Sequence, residues 1–438
     1  MHASDSHIAS SMPYALRFHR EGHYVEFLET HEKPQPYNYP LGINNTYIQL
    51  ESKHSYEALF RAVWRNYFGA QVFSSVFLVG ENVLRQIFET QRAEIEKFLE
   101  KKYDLLIIDE IFSILGYGLG LKRREEGIPF LTMASCASTN IMQHHLSLGN
   151  NFITRPSYFG LPTKQFDPAR FSSRLDTFWE SVSDLLLVEH ALQNHAQEGV
   201  KNLGLAGFEY KDIARKTSFY LYDEITFLVG SETLLVGFHC AKFATLSGEY
   251  LEHVEHPGSK GTILIAFGTN VKWEFAPAEL ILAFVDALNS LPEFRVIWTY
   301  NGLPEHVKDL KSHVLLTKWA PQKEILKHEK TVAFVSHGGM KSVKDTICAG
   351  VPVVFMPILA EQSLNAEMCR QAGFGVTLAK TEVTVEKLRD ALLTVTALLQ
   401  SGNAQIPIIL FRPANRFTRP RNVGGEPSHG RRATIPDF

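Results

Sequence analysis

Two periods of apolar and polar positions run along this chain. Short, continuous apolar stretches bounded by Gly, Pro or charged residues predict buried strands at Leu105–Ile108, Gly127–Thr132, Thr262–Phe267, Arg295–Thr299, His313–Leu316, Thr331–Ser336 and Val351–Met356. Between them, helical spacing predicts helices near Ser11–Arg20, Tyr56–Asn66, Arg85–Lys102, Ser113–Glu125, Leu175–Ala196, Pro277–Ser290 and Gly339–Ala349. Near the start, Glu21-Gly22-His23 reads as a helix stop ahead of a strand at Tyr24–Leu28. Residues 31–80 otherwise read as irregular, and 145–175 as an ordered surface excursion. Helices alternating with buried strands are the pattern of parallel sheets with crossover helices, hence an α/β fold.

The pattern breaks at Phe238–Gly261, which is polar and rich in small residues between two apolar strands. This predicts an N-terminal domain over 1–240, a linker over 241–260 and a second α/β domain over 261–400, with a cleft between them as the favoured ligand site. The remainder, 401–438, carries Arg412, Arg416, Arg419, Arg421 and several prolines without any period, and reads as a disordered tail.

Composition narrows the function classes. The 438 residues are 45% hydrophobic and 21% charged, with a net charge of −3. No basic stripe interleaved with aromatics speaks for a nucleic-acid partner. Cys136, Cys240, Cys348 and Cys369 lack zinc-type spacing and read as buried or free thiols rather than a disulfide framework. No apolar run reaches the roughly 18 residues needed to cross a bilayer. The opening MHASDSHIASS has no basic stretch followed by an apolar one, so no leader peptide is expected and the chain as written reads as soluble.

The chemistry concentrates between Trp319 and Gln362. His337-Gly338-Gly339 follows a buried strand and opens a helix, where glycines admit a ligand to the backbone and the helix N–H groups favour an anion. On that helix Ser342 and Asp345 share a face, and Asp345 can accept two ribose hydroxyls or simply complement the helix dipole. Trp319 beside Pro321 suits stacking on a planar base, and Gln322 offers both donor and acceptor to its edge; the plain alternative is a core Trp closing a loop. Glu361 and Gln362 lie beyond the next strand's carboxyl end, within reach of sugar hydroxyls. Read singly, each has such a bland alternative; read together, they describe base, phosphate, ribose and sugar subsites in order.

These residues, W-x-x-Q, H-G-G, the acid after it, G-V-P and the acid–Gln pair, resemble the donor-binding signature of the family 1 UDP-glycosyltransferases, in particular the animal UDP-glucuronosyltransferase branch. The weaker similarity extends over most of residues 5–400 and includes the Gly268-Thr269 turn, which in the family faces the pyrophosphate. The resemblance implies a GT-B architecture, two Rossmann-like domains facing across a cleft, with the acceptor domain first. It implies that donor contacts come from Thr269, Trp319, Gln322, His337, Gly339, Lys341, Ser342, Asp345, Glu361 and Gln362. It also implies a catalytic His in the first loop, which His7 fits, standing ahead of His23 at the family's spacing, and a partner Asp at the end of a buried strand, which Asp109 fits. The expected reaction is inverting transfer of glucuronic acid or glucose from a UDP-sugar to a small lipophilic acceptor, with no metal or other cofactor. The family also implies the endoplasmic reticulum lumen, membrane association of the full-length protein and possible homo-oligomers.

The match departs from the family at several places. Lys341 stands where Asn is usual, and can add phosphate affinity or point into solvent. Asp345 replaces Glu, and Glu361 replaces Asp. A leader, the first strand ahead of the His7 loop, the last helices and a membrane anchor are all expected of the family and not read here. The chain is therefore expected to be an incomplete form, with a neighbouring strand edge left unpaired. A catalytically weak UDP-sugar-binding relative is the alternative function; a UDP-sugar epimerase is disfavoured by Trp319 and Gln322 occurring together with His7.

Overall fold

The computed structural model describes residues 5–51, 57–67, 69–111, 114–146, 156–159, 165–195, 197–222, 240, 244–269 and 271–400. The Arg- and Pro-rich tail and much of the 145–175 excursion lie outside them. In chain order the elements are α1 (Asp5–Arg20), β1 (Glu26–His31), β2 (Asn44–Gln49), α2 (Glu57–Arg65), α3 (Ala70–Thr90), α4 (Arg92–Glu100), β3 (Leu106–Asp109), α5 (Ile114–Glu125), β4 (Phe130–Ala134), α6 (Asn140–His145), α7 (Phe171–His195), α8 (Glu198–Lys201), α9 (Tyr210–Lys216) and β5 (Phe219–Tyr222). The second half holds α10 (Gly248–Val254), β6 (Thr262–Ala266), α11 (Ala278–Asn289), β7 (Arg295–Thr299), β8 (Val314–Thr317), α12 (Gln322–Lys327), β9 (Thr331–Ser336), α13 (Met340–Ala349), β10 (Val353–Phe355), α14 (Gln362–Gln371), β11 (Gly375–Thr377) and α15 (Val385–Gln400).

The second half is a six-stranded parallel sheet in the order β11-β10-β9-β6-β7-β8. Ile263, Leu264 and Ile265 of β6 and Ala333, Phe334 and Val335 of β9 are fully buried, because helices cover both faces and leave no polar side to the strands. Chain order reverses between β6 and β9, and ligands of open α/β sheets bind at such a reversal.

Strands of the first half pair as two separate parallel sheets, β1-β2 and β3-β4-β5. Side chains bridge them at Glu26, whose carboxylate accepts from Lys101 Nζ at 2.6 Å, Tyr103 at 2.6 Å and Thr46 at 2.5 Å. Burial opposes ionisation of Glu26, but these donors outweigh it and hold the carboxyl at about 2.

Five sequence expectations need correction. The first helix begins at Asp5, not Ser11, and runs through Pro13, whose missing N–H forfeits one bond to Ala9 without ending it. The irregular reading of 31–80 misses β2 and the start of α3, where Phe73, Phe77, Leu84, Ile87 and Phe88 recur at helical spacing and are buried. The single helix expected at Arg85–Lys102 is two, broken at Gln91, which leaves helical geometry at φ −131°. The expected linker contains α10. Cys240 and Cys348 form a disulfide with a Cα–Cα distance of 5.6 Å, whereas Cys136 and Cys369 are buried thiols; a separation of 108 residues hides such a pair from local spacing.

The halves also exchange packing. Val63 and Trp64 of α2 are buried in the second half's core, with Trp64 against Trp273 and its Nε1 donating to the Lys272 carbonyl at 2.9 Å. In return Leu364 and Met368 of α14 join the first half's core.

Candidate active site

The carboxyl ends of β6 and β9 lie side by side, Ala266 paired with Ser336, so the Gly268-Thr269 turn and His337-Gly338-Gly339 emerge together at the reversal. Gly338 has φ +87°, and a Cβ there would lie 3.0 Å from the Gln362 carbonyl oxygen. At Gly339 a Cβ would lie 2.7 Å from His337 Nε2. No larger residue fits either position unstrained. Asn365, which the sequence reading passed over, pins the turn by donating to the Gly338 carbonyl at 2.9 Å. Gly339 is the N-cap of α13 and brings no side-chain cap, so the first N–H groups of that helix are available to an anion.

His337 is held low, at about 4, by burial, and its Nδ1 has no hydrogen-bond partner. A neutral imidazole at this position offers a hydrogen bond rather than a positive charge.

Gln322 opens α12 and donates to Asp345 Oδ2 at 2.9 Å and to Ser342 Oγ at 3.4 Å, bringing three of the expected contacts together. Burial raises the Asp345 carboxyl, with the Gln322 hydrogen bond pulling the other way. Just ahead, Trp319 is 72% exposed. Its carbonyl is held by Tyr250 at 2.6 Å and Thr317 at 2.7 Å, so the loop is fixed while the ring stays open. A core Trp is thereby excluded.

Beyond β10 the loop to α14 passes through Ala360 at φ +54°, a conformation that costs a non-Gly residue of order 1 kcal/mol and occurs where surroundings impose it. The imposing contact is Gln362, whose Oε1 accepts from the amides of Ile358 at 2.9 Å and Leu359 at 3.0 Å. The Gln362 carbonyl is thus committed to its own loop, leaving its amide nitrogen as the group for a ligand. Glu361 is buried beside it.

His7 lies in the first turn of α1, not in a loop. Its Nδ1 is 2.7 Å from Asp109 Oδ2, with the two side chains 14% and 3% exposed. Burial pulls the His7 pKa down, but the charge and hydrogen bond of Asp109, aided by Glu361 and opposed by Lys341, raise it above the ordinary histidine value. Lys341, itself exposed in the first turn of α13, donates through Nζ to the Ser6 carbonyl, which joins α13 to the base of α1. The helix carrying His7 and the helix opening the phosphate turn therefore touch.

Behind Asp109 lies a network the sequence reading missed. Glu110, fully buried, accepts from Tyr220 at 2.6 Å, Tyr210 at 3.2 Å and Thr139, and its backbone carbonyl accepts from Tyr117. Burial lifts its carboxyl to about 7 despite these donors. The contacts tie the end of β3 to α5, α6, α9 and β5, so Asp109 projects from a rigid support. Only the acid directly after Asp109 hinted at it, since its tyrosine partners lie up to 110 residues away.

The profile of the family described as UDP-glucoronosyl and UDP-glucosyl transferase matches residues 40–398. Human UDP-glucuronosyltransferase 1A6 is 36% identical over 159 residues, 36% of this chain and 29% of that protein. Mouse UDP-glucuronosyltransferase 1A1 is 35% identical over 159 residues, again 36% and 29%. The chain thus spans less than a third of the length of these relatives. Among solved structures, the glycotransferase of kitacinnamycin superposes with a TM-score of 0.57 at 15% identity, covering 92% of each chain. UGT2 of Phytolacca americana, complexed with UDP-2fluoro-glucose and pterostilbene, gives 0.53 at 16% identity, covering 92% of this chain and 90% of that one. These likenesses show the fold, the two Rossmann-like units of the GT-B architecture.

Proposed function

Because the chain belongs to the UDP-glucoronosyl and UDP-glucosyl transferase family, we propose that it moves glucuronic acid or glucose from a UDP-sugar to a small lipophilic acceptor, with inversion at the anomeric carbon. The observation that carries this reading is the 2.7 Å contact between His7 and Asp109 beside a helix that also opens the phosphate turn.

Asp109 accepts from His7 Nδ1, which leaves Nε2 as the basic nitrogen. An acceptor hydroxyl, with a pKa of about 10 for a phenol, is a weak nucleophile until its proton is removed. His7 takes that proton as the oxygen attacks the anomeric carbon, and Asp109 steadies the imidazolium. The departing UDP gains charge where the α13 N–H groups and His337 can meet it. Trp319 and Gln322 serve the base, Asp345 and Ser342 the ribose, Thr269, Gly339 and Lys341 the diphosphate end, and Glu361 with the Gln362 amide the sugar. Residues 1–240 form the acceptor domain and 261–400 the donor domain, joined through 241–260. The Cys240–Cys348 disulfide supports an oxidising compartment, the endoplasmic reticulum lumen being the family's. Among the described residues no helix is long and apolar enough to cross a membrane.

The test measures UDP release with a phenolic acceptor, for the chain and for His7→Ala, with UDP-glucuronic acid and UDP-glucose as donors. Turnover lost in His7→Ala with UDP binding retained supports the reading, and turnover unaffected removes the base. A second reading, donor binding without turnover, is favoured by the division of the first half's strands into two sheets beside His7; it predicts tight UDP binding and no release in either protein.

A further inference from the structure

Lysine is seldom fully buried, and Lys380, only 5% exposed between β11 and α15, is an exception that its contacts explain. Its ammonium donates to two carbonyls from distant parts of the chain, that of Val63 and that of Ile358, the latter at 2.5 Å. Burial draws its pKa down to about 7, so the fold bears a desolvation penalty to keep the group there. Val63 lies in the last turn of α2, where a carbonyl has no partner within the helix and a cation meets the negative end of the helix dipole.

The second carbonyl bears on the donor site. The Ile358 carbonyl and the Leu359 N–H belong to one peptide unit, in the loop between β10 and α14. Lys380 holds the oxygen of that unit, while Gln362 Oε1 accepts its N–H at 3.0 Å and the Ile358 amide at 2.9 Å. Turning this peptide over would forfeit the bonds at both of its ends. The ammonium also polarises the unit and so strengthens its N–H as a donor to Gln362. Next along the chain stands Ala360 at φ +54°, a conformation that persists where its surroundings over-determine it, and then the buried Glu361. The loop that presents Glu361 and the Gln362 amide nitrogen is thus gripped from outside by one side chain.

We propose that Lys380 is a positioning residue for the donor sugar, locking the Ile358–Leu359 peptide so that Glu361 and Gln362 face the sugar, and tying that loop to α2 of the first half. This rests on the sugar role proposed above for Glu361 and Gln362. Helix α2 is well anchored for its part. Trp64 donates to the Lys272 carbonyl at 2.9 Å, Phe60 stacks on Phe275, and Tyr67 just beyond the helix meets Thr381, the neighbour of Lys380, at 3.0 Å. A first-half helix thus reaches the sugar loop through a single buried ammonium, and loosening either end is felt at the other.

Calorimetry of the full chain with UDP, UDP-glucose and UDP-glucuronic acid, without acceptor, tests the proposal on Lys380→Met, which keeps an unbranched stem and removes the ammonium. UDP affinity is expected to stay within about twofold of native, while the tighter-binding UDP-sugar weakens about tenfold, the scale of one hydrogen bond from a charged donor. Gln362→Ala, which removes the sugar contact itself, shows the same split. Hydrogen exchange read by mass spectrometry needs no ligand. In Lys380→Met the Ile358 and Leu359 amides exchange about tenfold faster, with β6 and β9 as protected as before. Trp64→Phe, which removes the donor anchoring α2, quickens the same loop and produces the same split, and it carries both measurements if Lys380→Met does not fold. Equal loss of UDP and UDP-sugar affinity overturns the proposal, as does a loop whose exchange is unchanged. A split in Gln362→Ala without one in Lys380→Met overturns the positioning role alone. No split in either removes the sugar reading and the proposal with it.

Discussion

Replacing Asp109 by Asn removes one charge and almost no volume, so it isolates what the carboxylate does for His7. In the native protein Asp109 Oδ2 lies 2.7 Å from Nδ1, and the carboxylate, with help from Glu361, overcomes burial to raise the His7 pKa. An Asn amide turned toward Nδ1 would donate to it, moving the ring proton to Nε2, where the base must be. The remaining effect on His7 is burial, which lowers its pKa. Two consequences follow. Turnover should fall by about 10²–10⁴, the range for loss of a general base, or about 3–5 kcal/mol of barrier. The acid limb of kcat/KM should also shift. The base works deprotonated, so native activity rises as pH climbs through a value above the ordinary 6.5 of histidine; in Asp109→Asn the limb moves to lower pH. The assay is UDP release against pH with a phenolic acceptor, with UDP affinity measured alongside to show that the donor site is intact. A variant within about threefold of native turnover, or an unmoved limb, would refute the assignment of His7 and Asp109.

Asp345→Ala should weaken UDP binding by roughly 5–30-fold in calorimetry, since it removes a carboxylate and leaves the Gln322 amide without its 2.9 Å acceptor; Gln322→Ala in the same background should add little, because the two share one contact. Reduction of Cys240–Cys348, or Cys348→Ser, should cost about 2–4 kcal/mol of stability and lower the melting temperature of the second half, which holds α13. Glu26 has a depressed folded-state pKa, so its contribution is complete above the unfolded value near 4.5 and is lost as pH falls through about 2. Acid unfolding followed by circular dichroism should begin at higher pH in Glu26→Gln, while near neutral pH its loss of ion pairing should appear as a uniform destabilisation.

Local pattern carried a large share of the second half. The strands at Arg295–Thr299 and Thr331–Ser336 occur with the bounds their apolar runs predict, and α13 begins one residue after the glycines that announce it. The reason is that each of these strands is buried on both faces, so its run of Val, Ile and Phe has little competing interpretation. The first half was less legible. Phe73 and Phe77 looked irregular because their helix is covered by α7 and α8 rather than by a sheet, and Trp64 gave no sign that it would enter the core of the opposite half. Motif spacing identified Gln322, Ser342 and Asp345 as residues of one site, and the structure brings them within hydrogen-bond reach of one another. Motif spacing could not say that the Gln362 carbonyl is spent on its own loop, or that Lys341 reaches back to Ser6.

By itself, then, the sequence determined the α/β class, five of the second sheet's six strands and the residue types gathered at its carboxyl edge, because period and turn chemistry are local properties of the chain. Tertiary structure decided the rest. The His7–Asp109 contact spans 102 residues and the Cys240–Cys348 bond 108, and the tyrosines around Glu110 come from three different elements. Such contacts depend on how helices and sheets pack in space, and the group packed against a buried histidine sets whether it is basic or neutral. His7 and His337 are the same side chain, both shielded from water. One has a carboxylate against its ring and is raised, the other has none and is held at about 4.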